Sequence, residues 1–250
     1  MTDLRATGEL SNPRRARAAL ADLDDAPLNF DLDRRDDITV ANGWKLDHYR
    51  QPLPPEPPGP PLPNGSWAAC TRLIADYAFA DPAIVRALYD ADQPLERRNI
   101  LLEARFYGLR FLLGLRVGGV EDGTQQSDGR PARRWGWNYQ TLRGHLEMGQ
   151  MDYTAVKRLD TGEVEFHIDA FSKAAQIPNP IVRLGFAVFG RWMQRRFART
   201  ALRRMGTLVR DELVAVATGR GGRHAGAGAG HDARGGHNAR YRRWAPDRHR

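Results

Sequence analysis

His145 and Glu147 are the residues of this chain whose types and spacing suit proton exchange. They sit two apart in Gly144-His145-Leu146-Glu147-Met148-Gly149, and in an extended strand positions 145 and 147 share a face. An imidazole and a carboxylate presented together can work as acid and base near neutral pH. The same pair also suits a plain turn, in which Glu147 accepts backbone N–H groups and His145 orients the hairpin, and the residues alone leave both readings open. Around them stand the aromatics Trp135, Trp137, Tyr139, Phe166, Phe171 and Trp192, which can line a cavity or fill a core. The expected ligand contacts are Trp137, Tyr139, Phe166, Trp192 and Met193, with His145 as a polar anchor at the mouth.

Other chemistries find less support. His145 and His167, taken with Glu147 or Asp169, lie in different strands without the local spacing of a metal site, so neither metal nor cofactor is expected. The chain has no Gly-x-x-x-x-Gly-Lys loop and no Gly-x-Ser-x-Gly elbow, which disfavours nucleotide-driven and serine-hydrolase activity. Its single cysteine, Cys70, cannot form an internal disulfide and fits a reducing compartment. No apolar leader follows Asp3, Arg5 and Glu9, and the apolar run 181–193 is interrupted by Arg183 and Arg191. That run is too short to cross a bilayer, so a cytoplasmic protein without a transmembrane segment is expected.

Charge is unevenly spread. The net charge is +8, and Gly219 to Arg250 carries 8 Arg and 2 Asp. The high isoelectric point therefore belongs mainly to the tail. Residues 183–210 add 8 Arg and no acid, a positive helix stripe that reads most simply as a solvated face paired with acidic loops. Together with the tail it predicts nonspecific attraction to nucleic acid or an anionic membrane at low salt.

The elements that must position these residues follow from patterning. Residues 1–42 hold 9 acidic and 6 basic residues and are expected to be mostly disordered, with a short helix near Pro13 to Leu23. Eight prolines between Pro52 and Pro63 predict an extended strap or linker over 43–66. The folded domain then spans 67–217, and a disordered basic tail occupies 218–250. Thr71 to Phe79 reads as a strand, and Asp81-Pro82 as the start of a helix running to Tyr89. Asn99 to Val117 suits two strands or one long bent one, and Glu121 to Arg134, polar and glycine-rich, suits an exposed loop. Strands follow at Trp135 to Leu142, Met148 to Leu159 and Glu163 to Phe171, with Asp160-Thr161-Gly162 as hairpin turn. Val164, Phe166, Ile168 and Ala170 alternate with Glu165, His167 and Asp169, which predicts one packed and one wet face. From Ile181 the spacing turns helical: Trp192, Met193, Phe197, Ala201 and Met205 recur at three and four, as an apolar face, beside Arg191, Arg195, Arg199 and Arg203.

The run Trp135-Gly136-Trp137-Asn138-Tyr139-Gln140-Thr141-Leu142-Arg143-Gly144-His145-Leu146-Glu147-Met148-Gly149, with Gly162-Glu163-Val164-Glu165-Phe166, Ala170-Phe171-Ser172, Gly190-Arg191, Gln194 and Phe197, resembles domain-of-unknown-function family number nineteen-ninety. Gln150 stands where that family usually has an acid, and Leu146 where it has proline. The resemblance implies an alliance with the START and Bet v 1 superfamily, whose members wrap an antiparallel sheet around a long C-terminal helix and often bind hydrophobic molecules. It supplies no established catalytic residue.

The expected fold class is thus α+β, a curved antiparallel sheet gripping a long C-terminal helix, in a protein that binds a small hydrophobic, lipid-like molecule between the two. The competing expectations are a polyketide-cyclase-like enzyme using His145 and Glu147 in the same cavity, and a basic adaptor acting through the arginine-rich helix and tail.

Overall fold

The computed structural model describes residues 3–106, 109–127, 129–176 and 180–219; residues 220–250 of the expected tail lie outside them. One eight-stranded antiparallel sheet dominates, with strands β1 (Leu4–Ala6), β2 (Lys45–Leu53), β3 (Val85–Asp90), β4 (Asn99–Phe106), β5 (Leu109–Ser127), β6 (Arg130–Thr141), β7 (Glu147–Arg158) and β8 (Val164–Ala174). Their order in space is β1-β3-β4-β5-β6-β7-β8-β2. Helices α1 (Pro13–Ala21), α2 (Ser66–Ala75) and α3 (Pro180–Ala217) complete the fold. The α+β class and the long C-terminal helix against a curved sheet agree with expectation.

Alternation sorts the side chains onto two faces. On the inner face Trp137, Tyr153, Ala155, Phe166 and Ile168 join Cys70 and Ile74 of α2 and Ala201, Met205 and Val209 of α3 in one core. The Trp137 indole donates to the Ile74 carbonyl at 3.1 Å. Tyr77, Phe79, Trp137, Tyr153 and Phe166 stack with ring centroids 4.6 to 6.4 Å apart. Among the described residues these rings pack the space between the sheet, α2 and the later part of α3.

Several sequence expectations are corrected. Ser66–Ala75 is helical rather than a strand beginning at Thr71, because Ala69, Cys70, Leu73 and Ile74 fall on one helical stripe and are buried. Its end is a Schellman turn, with Tyr77 N donating to Ile74 O and Ala78 N to Leu73 O. The position usually given to glycine is held by Tyr77 at φ 54°, anchored by burial of its ring. Asp81 does not cap a helix. Its carboxylate accepts from Ala83 N at 2.8 Å in a turn, and Val85–Asp90 continues as β3, where Val85, Ala87 and Tyr89 alternate inward. Glu121 to Arg134 is no loop: β5 and β6 stay paired out to Ser127 and Arg130, with Asp122, Thr124, Gln125 and Gln126 exposed on a long hairpin arm whose base holds a buried Glu121–Arg134 ion pair at 2.6 Å.

The first 42 residues, expected to be mostly disordered, contribute β1 and α1. Ala16, Leu20 and Leu23 pack with Leu88, Leu101 and Leu142 on the outer face, and Phe30, Ile38 and Trp44 cover Phe171. The acidic residues remain outward while a sparse apolar set does the anchoring. Likewise β8 is not wet on one side, since His167 and Asp169 are both buried. Asp169 meets His48 Nδ1 and Arg50 Nη1, each at 2.9 Å.

The region expected as a strap begins as strand β2, paired to β8 along its whole length. Only the proline run behaves as a strap. Glu56 N donates to Gly162 O at 2.9 Å and Gly59 N to Leu159 O at 2.7 Å. Beneath it the Lys157 ammonium meets Glu56 Oε2 at 2.8 Å and the Pro60 carbonyl at 2.9 Å. The other Glu56 oxygen accepts from Trp67 N at 2.8 Å, which ties strap, sheet and α2 to one buried charge pair.

Candidate functional site

A cleft opens where β7, β8 and β2 meet the earlier part of α3. Its walls include Asp47, Tyr49, Tyr139, His145, Glu147, Met151, Ser172, Gln194 and Ala198, and the cavity measures about 40 Å³. That volume holds a few waters or one small polar group, far less than the roughly 300–1,000 Å³ of drug-sized pockets.

The local chain path explains why these groups converge. Between β6 and β7 the turn passes through Gly144 at φ 90°, and β7 carries Gly149 at φ 150°. A side chain at Gly149 would run into the Phe171 carbonyl, so the two strands approach as closely as they do only with glycine. Gly149 N donates to Thr141 Oγ1 at 2.9 Å, and that hydroxyl donates to Asn29 Oδ1 at 2.6 Å. Asn29 Nδ2 in turn donates to Glu147 O at 2.7 Å. A residue of the N-terminal segment thereby braces the lip of the cleft from outside.

His145 and Glu147 do face the same cleft, but their side chains are not bonded to each other. The Glu147 amide donates to His145 Nδ1 at 3.0 Å. Nδ1 also stands 3.0 Å from the Glu147 carbonyl, but the amide N–H can only donate, so the neutral ring that satisfies it accepts at Nδ1 and carries its proton on Nε2. Burial pushes the imidazole pKa down to about 4, which keeps this tautomer uncharged at neutral pH. The Glu147 carboxylate instead accepts from Gln194 Nε2, and Gln194 also donates to Ser172 Oγ at 3.0 Å. Burial raises the Glu147 carboxyl to about 7 against the opposing pull of Gln194, Lys45 and Arg191. The pair anticipated as acid and base is therefore a neutral, turn-orienting imidazole next to one carboxyl poised near neutrality.

Two further groups complete the polar end. Burial acts to raise the Asp47 carboxyl, but paired bonds from Arg191, one at 2.6 Å, outweigh it and hold the group below its ordinary range. Tyr49 donates to Asp47 at 3.2 Å. Burial pushes the Tyr139 phenol well up against the opposing hydrogen bond of the Tyr153 hydroxyl, so it stays a donor, and the acceptor of its own proton is the Met151 thioether at 3.5 Å. Sulfur is a weak acceptor, which leaves this hydroxyl ready for a better one.

Of the residues expected from sequence, the cleft brings together Tyr139, His145 and Glu147. Trp137 and Phe166 are closed into the core at 1% and 0% exposure. Trp192 is 51% exposed with the Arg196 guanidinium 5.3 Å from its ring centre, and half-buried Met193 is not among the lining residues. The cause is helical phase. Counted from the buried Ala198, Ala201, Met205 and Val209, Trp192 lies about 140° away around α3 at about 100° per residue. Asp47, Tyr49 and Ser172 went unnoticed as site residues. The alternation of Asp47, Tyr49 and Gln51 with Leu46, His48 and Arg50 was the available signal, and Gln194 stood in the motif without a role. Among the described residues no group of three or more His, Cys, Asp or Glu is placed to hold a metal ion, and no helix is long and apolar enough to cross a membrane.

A family model described as Domain of unknown function (DUF1990) matches residues 33–204, and the chain belongs to that family. No curated protein matches the sequence. Among solved structures, the crystal structure of Ara h 8.0201 is similar at 8% sequence identity, covering 68% of this chain and 99% of that one, with a TM-score of 0.36.

Proposed function

We propose that this member of the DUF1990 family binds a small, largely apolar molecule by its single polar head, in the cleft between the β7–β8–β2 edge and α3. The observation that carries this is Tyr139, a half-buried phenol lining an open cleft, which takes the Tyr153 hydroxyl as one partner and gives its own proton only to a thioether. Beside it stands the Glu147 carboxyl, which near pH 7 exists in both forms and can donate to or accept from a ligand oxygen. A hydroxyl, carbonyl or carboxylic acid head matches both the donor set and the 40 Å³ volume. The rest of the ligand lies along the open mouth against Met148, Met151 and Ala198. On this reading the ligand lies at the end of the grip rather than among Trp137 and Phe166.

Native mass spectrometry of the chain purified from its own host tests the proposal. A retained small molecule, lost in a Tyr139→Ala/Glu147→Ala double variant that still folds, is the expected result. A chain free of ligand, or one whose ligand survives the double variant, overturns it.

A second reading rests on Glu147 alone. A carboxyl near 7 in a partly dry cleft has the pKa of a general acid or base, which suits an enzyme of the polyketide-cyclase type acting on a small carbonyl compound. In that case turnover of such a compound follows a single ionisation near pH 7 and disappears in Glu147→Gln.

A further inference from the structure

We infer that the outward ridge of α3 is a docking surface for an anionic lipid bilayer. Trp192, Arg196, Arg199, Arg203, Arg210 and Val214 fall within about 60° of one line along the helix at about 100° per residue, over a length of about 33 Å. The four arginines are exposed, and among the described residues none of them meets a carboxylate. The nearby acids of α3 sit off this line, and Glu212 is taken by Arg72 at 2.7 Å. The ridge is a row of uncompensated positive charge on one continuous helix.

Its two ends favour a membrane over other polyanions. Trp192 is 51% exposed and Val214 62% exposed, with Arg196 laid over the indole. A lone tryptophan and an aliphatic residue bracketing arginines match an interfacial helix, in which indole sits at headgroup depth and guanidinium groups reach the phosphates. A single-strand nucleic-acid site spaces several aromatics among its charges, and this ridge carries one. The opposite side of the helix holds Gln194, Ala198, Ala201 and Met205 against the sheet and cleft, so lying on a surface requires no unpacking. The inference stands whether or not the cleft binds a ligand.

The test compares full-length chains, since the basic stretch beyond Gly219 adds charge of its own. Vesicles of phosphatidylcholine with an equal part of phosphatidylglycerol, and of phosphatidylcholine alone, are the probes. The parent is expected to sediment with the mixed vesicles. An Arg196→Gln/Arg199→Gln/Arg203→Gln variant, altered only at exposed positions, is expected to bind them at least about tenfold more weakly. Brominated lipid quenches part of the parent tryptophan fluorescence, and Trp192→Phe removes that part. Equal sedimentation of parent and triple variant overturns the inference. So does unchanged quenching in Trp192→Phe, or a parent that prefers duplex DNA to the vesicles through the same arginines.

Discussion

The Gln194 side chain of α3 donates to the Glu147 carboxylate at the start of β7, joining two residues that stand 47 positions apart in sequence. This bond spans the cleft, and it sets a carboxyl pushed to about 7 beside a helix that carries the protein's outward positive ridge.

Glu147 gives the fold a pH dependence of known sign. Its folded pKa lies above the ordinary 4.5, so its contribution to stability is whole below pH 4.5 and is lost as pH rises through 7. The loss amounts to at most about 3.5 kcal/mol, at about 1.4 kcal/mol per pH unit. Half-buried His145 and buried His167, both neutral and pushed down to about 4, act in the opposite direction, since their contribution falls as pH drops from 6.5 toward 4. Two imidazoles outweigh one carboxyl where the ranges overlap, so the difference between variants is the clean measure. In urea unfolding, Glu147→Gln is expected to gain stability relative to the parent as pH rises from 5 to 8. A difference that stays constant over that range would refute the assignment.

His145 should hold its proton on Nε2. Nitrogen-15 NMR at pH 7 is expected to show the Nε2–H tautomer, with no protonation of the ring until about pH 4. An Nδ1–H ring, or titration near 6.5, would mean that Nδ1 does not accept from the Glu147 amide.

The strap hangs on one buried pair. Lys157 and Glu56 side chains are 0% and 3% exposed, and removing one partner strands the other charge away from water. Glu56→Gln or Lys157→Met is expected to cost about 3–5 kcal/mol in chemical denaturation. Making both changes should cost less than the sum of the two. Full additivity would show that the pair is not coupled.

Much of the sheet could be read along the chain, because its signals are local. Strands β6 to β8 alternate with period two and are punctuated by Gly144 and by Asp160-Thr161-Gly162. The long helix announces itself at Ile181. What failed was decided by distant partners. Ser66–Ala75 carries a short apolar run that suits strand or helix equally, and only docking of Ile74 against Trp137 settles it. The polar arm from Glu121 to Arg134 looks like a loop until its two sides are paired. The N-terminal segment has too few apolar residues to suggest order, yet Leu20, Leu23 and Phe30 each find a sheet patch to cover. At the site, His145 and Glu147 were legible from their shared turn. Asp47 meets Arg191 across 144 positions, a pairing that no local pattern encodes, and the outward turn of Trp192 depends on the phase of α3.

The five methionines offer the most direct test of where a ligand goes. Met148 and Met151 line the cleft, while Met205 is buried in the core between sheet and α3. Carbon-13 methyl NMR of methionine-labelled full-length chain, recorded with and without an organic extract of the host, is predicted to shift the Met148 and Met151 signals and leave Met205 in place. Shifts confined to Met205, or none at Met148 and Met151, would contradict a binding site at the Glu147 end of the grip.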